Sequence, residues 1–179
     1  MADKPSYLGM LNAIAVGECR GHALLACWAQ TTKDEALSTT LKIVALREQE
    51  HAAAFEKRMC ELGFFKREKP SEEFDKNMKC MASSEISDRQ KFEDVFGYGK
   101  ERPDLLGDLF KDASIDPVTG ELLGRFIAEE RDSGRRLREA YAKTKTERTM
   151  SDSTLEDISA RLDRLTKTIE ELKGLRRVV

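Results

Sequence analysis

The sequence predicts an all-α protein: an antiparallel bundle of four helices, with a long connection before the fourth and an extra C-terminal helix of heptad pattern. Three observations predict it. Charged residues make up 36% of the chain and aromatics 7%, with only four prolines, in a background rich in Ala, Glu, Lys, Arg and Leu. Apolar residues recur at spacings of three and four over long stretches, the period of a helix face. No alternating β-branched run bounded by turns appears, so no strand is expected. The 179 residues suffice for one domain with a core and a modest appendage.

The first helix is expected from about Ser6 to Thr31. The second opens at Thr32, where TKDE offers a capping box between Thr32 and Glu35, and ends near Gly63. The segment FFKREKP is the link, after which Ser71 caps a third helix running to about Phe96 and stopping at the glycines of GYG. A longer connection follows, with Pro103 in the first turn of a short helix. Asp116 and Pro117 then form the N-cap and first turn of a fourth helix reaching about Lys145. After the polar run TKTERTMSDS, Ser153 and Glu156 offer a second capping box for helix five. There Leu155, Ile158, Leu162, Leu165, Ile169 and Leu172 alternate in steps of three and four, as in a coiled coil, until Arg176 interrupts. The expected domains are residues 1–147, the bundle, and 148–179, the heptad helix, which either associates copies of the chain into a homo-oligomer or packs on its own bundle.

The same ruler on the first four helices shows a shared irregularity. Helix one reads Leu8, Leu11, Ala15, Glu18, His22, Leu25, Ala29. Helix two reads Leu37, Leu41, Val44, Glu48, His51, Phe55, Arg58, Leu62. Helix three reads Phe74, Met78, Met81, Glu85, Asp88, Phe92, Val95, and helix four Leu123, Phe126, Glu130, Ser133, Leu137, Ala140. Each apolar stripe is broken near its middle by polar residues, and antiparallel helices of similar length bring such breaks to one level. Clustered carboxylates in an apolar core cost several kcal/mol each to desolvate and repel one another, so they need protons, water or a cation. Carboxylates with imidazole suit two metal ions, and Glu48-x-x-His51 places both groups on one helix face. Helix three admits a competing stripe (Ala82, Ile86, Phe96), which would turn Glu85 outward and leave Glu93 or Asp94. His22 is either a ligand or a core histidine bonded to a nearby acceptor.

The segments AVGECRGHALLACWA and ALREQEHAAAFEKRMCELG resemble the helical hairpin of the ferritin-like, rubrerythrin-like di-iron carboxylate superfamily. There a glutamate midway along one helix pairs with Glu-x-x-His on the next. The likeness covers roughly residues 8 to 63 and extends over 72 to 142 by pattern alone. It implies Glu18, Glu48 and His51 as first-half ligands and Glu85 and Glu130 as second-half carboxylates. It implies two iron ions, with a single ion or another divalent metal as the alternative. The chain departs from the pattern at EERDS, where Ser133 stands in the histidine position; His22 and Asp88 are the candidates to compensate. No rubredoxin module is present, so electrons would come from a redox partner protein.

The formal charge of −2 gives no reason to expect nucleic acid or an anionic membrane as partner. Cys19, Cys27, Cys60 and Cys80 form no CxxC pair, which excludes a zinc ribbon, and they are expected as reduced thiols in the cytoplasm. LGMLNAIAV resembles the apolar part of a signal peptide, but its flank is mixed in charge and the apolar pattern continues past Glu18. No run of about 18 apolar residues offers a membrane span. The functional expectation is a di-metal oxidoreductase acting on oxygen, peroxide or ferrous iron. The alternatives are a metal carrier or sensor, and a structural or interaction protein without catalysis.

Overall fold

A computed structural model describes the backbone of residues 4–100 and 106–175, and side chains at 4–100, 106–144, 159, 160 and 162. Among the described residues every regular element is helical. They are α1 (Leu8–Thr31), α2 (Glu35–Glu61), α3 (Glu72–Ala82), α4 (Asp88–Asp94), a short 3-10 helix (Leu106–Phe110) and α5 (Pro117–Leu175). The chain divides into two units, Met1–Tyr141 and Ala142–Val179. No helix among the described residues is long and apolar enough to cross a membrane.

Local chemistry explains the helix ends. Asp34, not Thr32, caps α2: its carboxylate accepts from the amides of Ala36 and Leu37. The Thr32 hydroxyl is drawn away to Asp88 Oδ2 at 2.7 Å. Ser71 caps α3 as expected, accepting from Phe74 N–H. Asp116 caps α5, accepting from Val118 and Thr119 N–H, with Pro117 in the first turn where its missing amide proton costs nothing. The expected role of Pro103 lies outside the described residues; the short helix described begins at Leu106.

Two expectations are corrected. The single third helix to Phe96 is instead α3 and α4 with an irregular turn between them. Three serines lie in SSEIS, and serine hydroxyls compete for backbone groups. Ser83 Oγ accepts from Glu85 N–H, and Ser87 starts α4 with a full capping box to Gln90. The expected break before a fifth helix does not occur: α5 continues through TKTERTMSDS to Leu175. That run has no glycine or proline, and extending an existing helix is far easier than nucleating one. The side chains of Leu155, Ile158, Leu165, Ile169 and Leu172 lie outside those described, as does Arg176.

Within the first unit, apolar packing forms two clusters. One joins Leu8 and Leu11 of α1, Phe55 and Met59 of α2, and Leu123, Phe126 and Ile127 of α5. The other joins Leu24, Leu25 and Trp28 of α1, Leu37, Leu41 and Val44 of α2, Met81, Phe92 and Leu137. The start of α1 thus meets the end of α2, an antiparallel pair. α5 instead runs with α1, because the connection after α4 carries the chain back to the starting end, where Tyr7 hydroxyl donates to Asp116 at 2.6 Å. α3 also runs with α1: the Arg20 guanidinium lies over Phe74, and Thr31 hydroxyl donates to Met81 carbonyl at 2.8 Å. Between the two clusters, at the middle of α1, α2 and the first part of α5, lies a polar layer.

Candidate metal centre

The layer is built from three helices. α1 supplies Glu18, which is 8% exposed, and α2 supplies His51, at 3%. α2 also brings Glu48, and α5 brings Glu129, Glu130 and Ser133. The apolar neighbours above and below hold these side chains at one height; Phe126 packs edge-on against the His51 ring, with centroids 5.0 Å apart.

His51 is the hub. Its Nδ1–H donates to Glu18 Oε2 at 3.1 Å, and its Nε2–H donates to Glu129 Oε2 at 2.7 Å. Glu130 Oε1 lies 3.5 Å from Nδ1. Glu130 Oε1 is thus within ion-pair reach of the ring but buried without a well-formed hydrogen bond. A buried carboxylate oxygen without a donor is costly and calls for an explanation, an ion among them. One ligand atom each from Glu18, His51 and Glu130 all lie within 4.8 Å of one another, a grouping that could hold a metal ion.

The electrostatics show how the layer balances its charge without metal. Burial lowers the His51 imidazolium, but Glu130, Glu18 and Glu129 outweigh it and push its pKa up to about 10. Burial, then the charges of Glu18 and Glu130, push Glu48 up to about 9, so at neutral pH it carries a proton and hydrogen-bonds Glu18. Burial raises Glu18 as well. Burial also works against ionised Glu129, yet the bonds from His51 and Arg125 hold it below the usual range. An imidazolium and a carboxylic acid thus relieve the repulsion that a bound cation would also relieve.

Glu48 has a seat of its own. A Cβ at Gly21 of α1 would stand 2.3 Å from Glu48 Oε2, so glycine is what leaves room for this carboxylate in its present position against the neighbouring helix.

The six candidates of the sequence divide clearly. Glu18, His51 and Glu130 come together, with Glu48 hydrogen-bonded to Glu18 at their side. Glu85 does not: it lies exposed in the turn between α3 and α4, because the serine-rich break ends the helix that would have aimed it inward. His22 turns away, its Nδ1 donating to Ala45 carbonyl at 2.8 Å, the alternative that its position left open. Asp88 binds the end of α1 instead, accepting from Trp28 Nε1–H at 2.6 Å and from Thr32. Ser133, 2% exposed, accepts from Arg47 Nη1 at 3.0 Å.

Three functional candidates escaped the sequence reading. Glu129 supplies the outer carboxylate on His51 Nε2, the arrangement that orients a histidine so that its other nitrogen can bind a metal. Its signal was the acidic doublet at 129–130, one step off the apolar line. Arg47 lies beside Glu48 but off that line, and a long side chain reaches where phase does not place it. Gly21 was visible as a lone glycine inside a helical pattern, which often has a packing reason.

The residues fit one ion: three ligand atoms converge, one carboxylate oxygen is orphaned, and glycine makes room for a further carboxylate. They do not supply the second imidazole, or the third-helix carboxylate, of a symmetric pair. Compared with protein-family models, with curated proteins and with solved structures, the chain matches none of them.

Proposed function

We propose that this protein is a ferritin-like metal-binding protein whose centre takes a divalent transition-metal ion between Glu18, His51 and Glu130, with Glu48 completing the shell. One observation carries the reading: Glu130 Oε1 is buried without a donor beside Glu18 and His51, each from a different helix. Carboxylates with one imidazole suit iron, manganese and zinc, and iron is the ion that the resemblance implies. Bound iron would supply redox chemistry toward oxygen, peroxide or further ferrous iron. The chain's own part is to bind and to manage protons. To hold an ion, His51 would give up its Nδ1 proton to solvent while keeping Nε2–H on Glu129, and Glu48 would release its proton to solvent on joining. The two apolar clusters keep bulk water from either end of the layer.

A second reading, a carrier or sensor that binds metal without turnover, is favoured by Ser133, which removes a ligand from the redox-active pattern. Metal analysis of protein purified without chelator, followed by anaerobic titration with ferrous iron and then oxygen, separates the readings. Bound iron with an oxygen-dependent absorption change supports the oxidoreductase, and bound metal without one supports the carrier. Absence of metal at any concentration, with Glu130→Gln no different from wild type, would leave a structural protein whose working part is residues 148–179.

A further inference from the structure

We infer that Arg47 is a resident cation built into the place of a second metal ion, and that the centre is therefore mononuclear. The inference rests on the metal-binding reading and narrows it.

Three observations meet at this place. Ser133 stands three residues after Glu130 on α5, where a symmetric centre would carry its second imidazole, and it points into the buried layer at 2% exposure. Arg47, from α2, fills the space that the short side chain leaves. Its Nη1 donates to Ser133 Oγ at 3.0 Å, to Asp132 Oδ2 at 3.0 Å and to Glu129 carbonyl at 3.1 Å. The carboxylate expected from the third helix, Glu85, is on the surface and cannot offset added charge. A guanidinium has no lone pair to offer a metal and does not lose its proton in proteins. An ion held through residue 133 would thus lie next to a fixed positive charge with one carboxylate fewer to balance it. On the first-ion side the buried Glu130 oxygen lies 3.5 Å from His51 Nδ1.

The guanidinium is itself held in place. Asp132 is shared by Arg47, Arg135 and Arg136, so its charge is already matched and is not spare for a metal. Glu129 is matched by His51 and Arg125. Of the carboxylates in the layer, Glu18, Glu48 and Glu130 remain, enough for one divalent ion while the fixed charge of Arg47 stands beside Ser133 and free to be shared by two once it is gone.

The test is the number of cobaltous ions bound per chain under anaerobic conditions, by equilibrium dialysis and by d–d absorption, for five full-length proteins. Wild type should bind one. Ser133→His alone should still bind one, because Arg47 remains. Arg47→Met with Ser133→His should bind two. Arg47→Lys with Ser133→His, which keeps the charge and loses the planar guanidinium, should bind one. Arg47→Gln with Ser133→His repeats the neutral arm with a polar side chain should the methionine variant lose helicity, and should bind two. Two ions in wild type or in Ser133→His would overturn the inference while leaving the metal-binding reading intact. So would one ion in both neutral double variants, or two in the lysine variant. No ion in wild type would defeat the metal-binding reading, and the inference with it.

Discussion

Gly21→Ala places a methyl group where Glu48 now sits. The new Cβ would be 2.3 Å from Glu48 Oε2 and 3.1 Å from its Cδ. Carbon and oxygen do not approach below roughly 3.4 Å without repulsion, so the carboxylate must retreat by about 1 Å. Two terms set the stability of the metal-free protein. Alanine in a helix interior gains about 1 kcal/mol over glycine. Overpacking a buried site costs about 1–3 kcal/mol, at the low end here because the group that must move is the tip of a flexible side chain. The net expectation is a loss of roughly 0–2 kcal/mol in urea unfolding with chelator present. Metal binding should suffer more, because ligand positions tolerate only about 0.2 Å of error. Cobaltous affinity should drop about tenfold to a hundredfold, in the range seen when a supporting carboxylate is lost. Gly17, also inside α1, provides the control, for nothing lies within 4 Å of a Cβ there. Gly17→Ala should gain about 1 kcal/mol and leave metal affinity unchanged. A folded Gly21→Ala protein with wild-type affinity would show that Glu48 takes no part in binding. A loss beyond about 4 kcal/mol would show that its carboxylate has nowhere to go and is part of the core.

The remaining predictions concern protons and two buried polar groups. His51 is raised to about 10 and Glu48 to about 9, so in the metal-free protein both hold protons more tightly than in the unfolded chain. Stability without metal should therefore fall as pH rises, from about 4.3 upward for Glu48 and from about 6.5 upward for His51, their values in the unfolded chain, and be lost by about pH 9 to 10. Metal affinity should move the opposite way, gaining about a hundredfold per pH unit between 6 and 8 as His51 and Glu48 each give up one proton; titration in buffers of different ionisation enthalpy counts the protons, a count of one would remove Glu48 from the ligands, and a count of zero would remove His51 as well. Asp116 is held below the usual carboxylate range by Thr119 and Tyr7, with Arg58 adding to them, so its contribution is present above about pH 4 and lost on acidification. Asp116→Ala removes the α5 cap and should cost about 2 kcal/mol by urea unfolding at pH 7, with the gap to wild type closing as pH falls. Lys91, 1% exposed, donates to Thr31 Oγ1 at 2.9 Å and Met81 carbonyl at 3.1 Å, and burial lowers its pKa. Because the ammonium is desolvated, Lys91→Met should unfold within about 1 kcal/mol of wild type, whereas Lys91→Ala leaves a cavity and should cost about 2–5 kcal/mol.

The apolar stripes were legible because burial is periodic. On α1, α2 and α5 the residues picked by steps of three and four are those that pack, from Leu8 and Leu11 to Leu123, Phe126 and Leu137. Glu18, His51 and Glu130 were found by the same rule, as interruptions of a face that had to point inward. The rule failed where the backbone, not the face, decided. Across SSEIS the period continues through Met81, Glu85, Asp88 and Phe92. Met81 and Phe92 do pack in one cluster, while residues 83–87 between them are not helical. Periodicity survives a short break when the chain resumes in phase, so it cannot report the break; the Ser87–Gln90 capping box could have.

The centre shows a deeper limit of face counting. A stripe places Cβ atoms, but charge is placed by the ends of long side chains. Arg47 and Glu129 both start off the line and finish in the layer, one on Ser133 and the other on His51. Their arrival changes the meaning of the residues that were on it. Without Arg47, Ser133 reads as a missing ligand and a vacancy to be refilled. With Arg47 on its hydroxyl, the same serine is the acceptor that holds a guanidinium across from α2. Without Glu129, His51 is a lone imidazole among acids. With Glu129 on Nε2, the ring has one nitrogen committed and the other turned toward Glu18 and Glu130. The residues that make the layer asymmetric are thus the long ones, and the asymmetry sets one ring nitrogen turned toward Glu18 and Glu130 on the His51 side against one fixed cation on the Ser133 side.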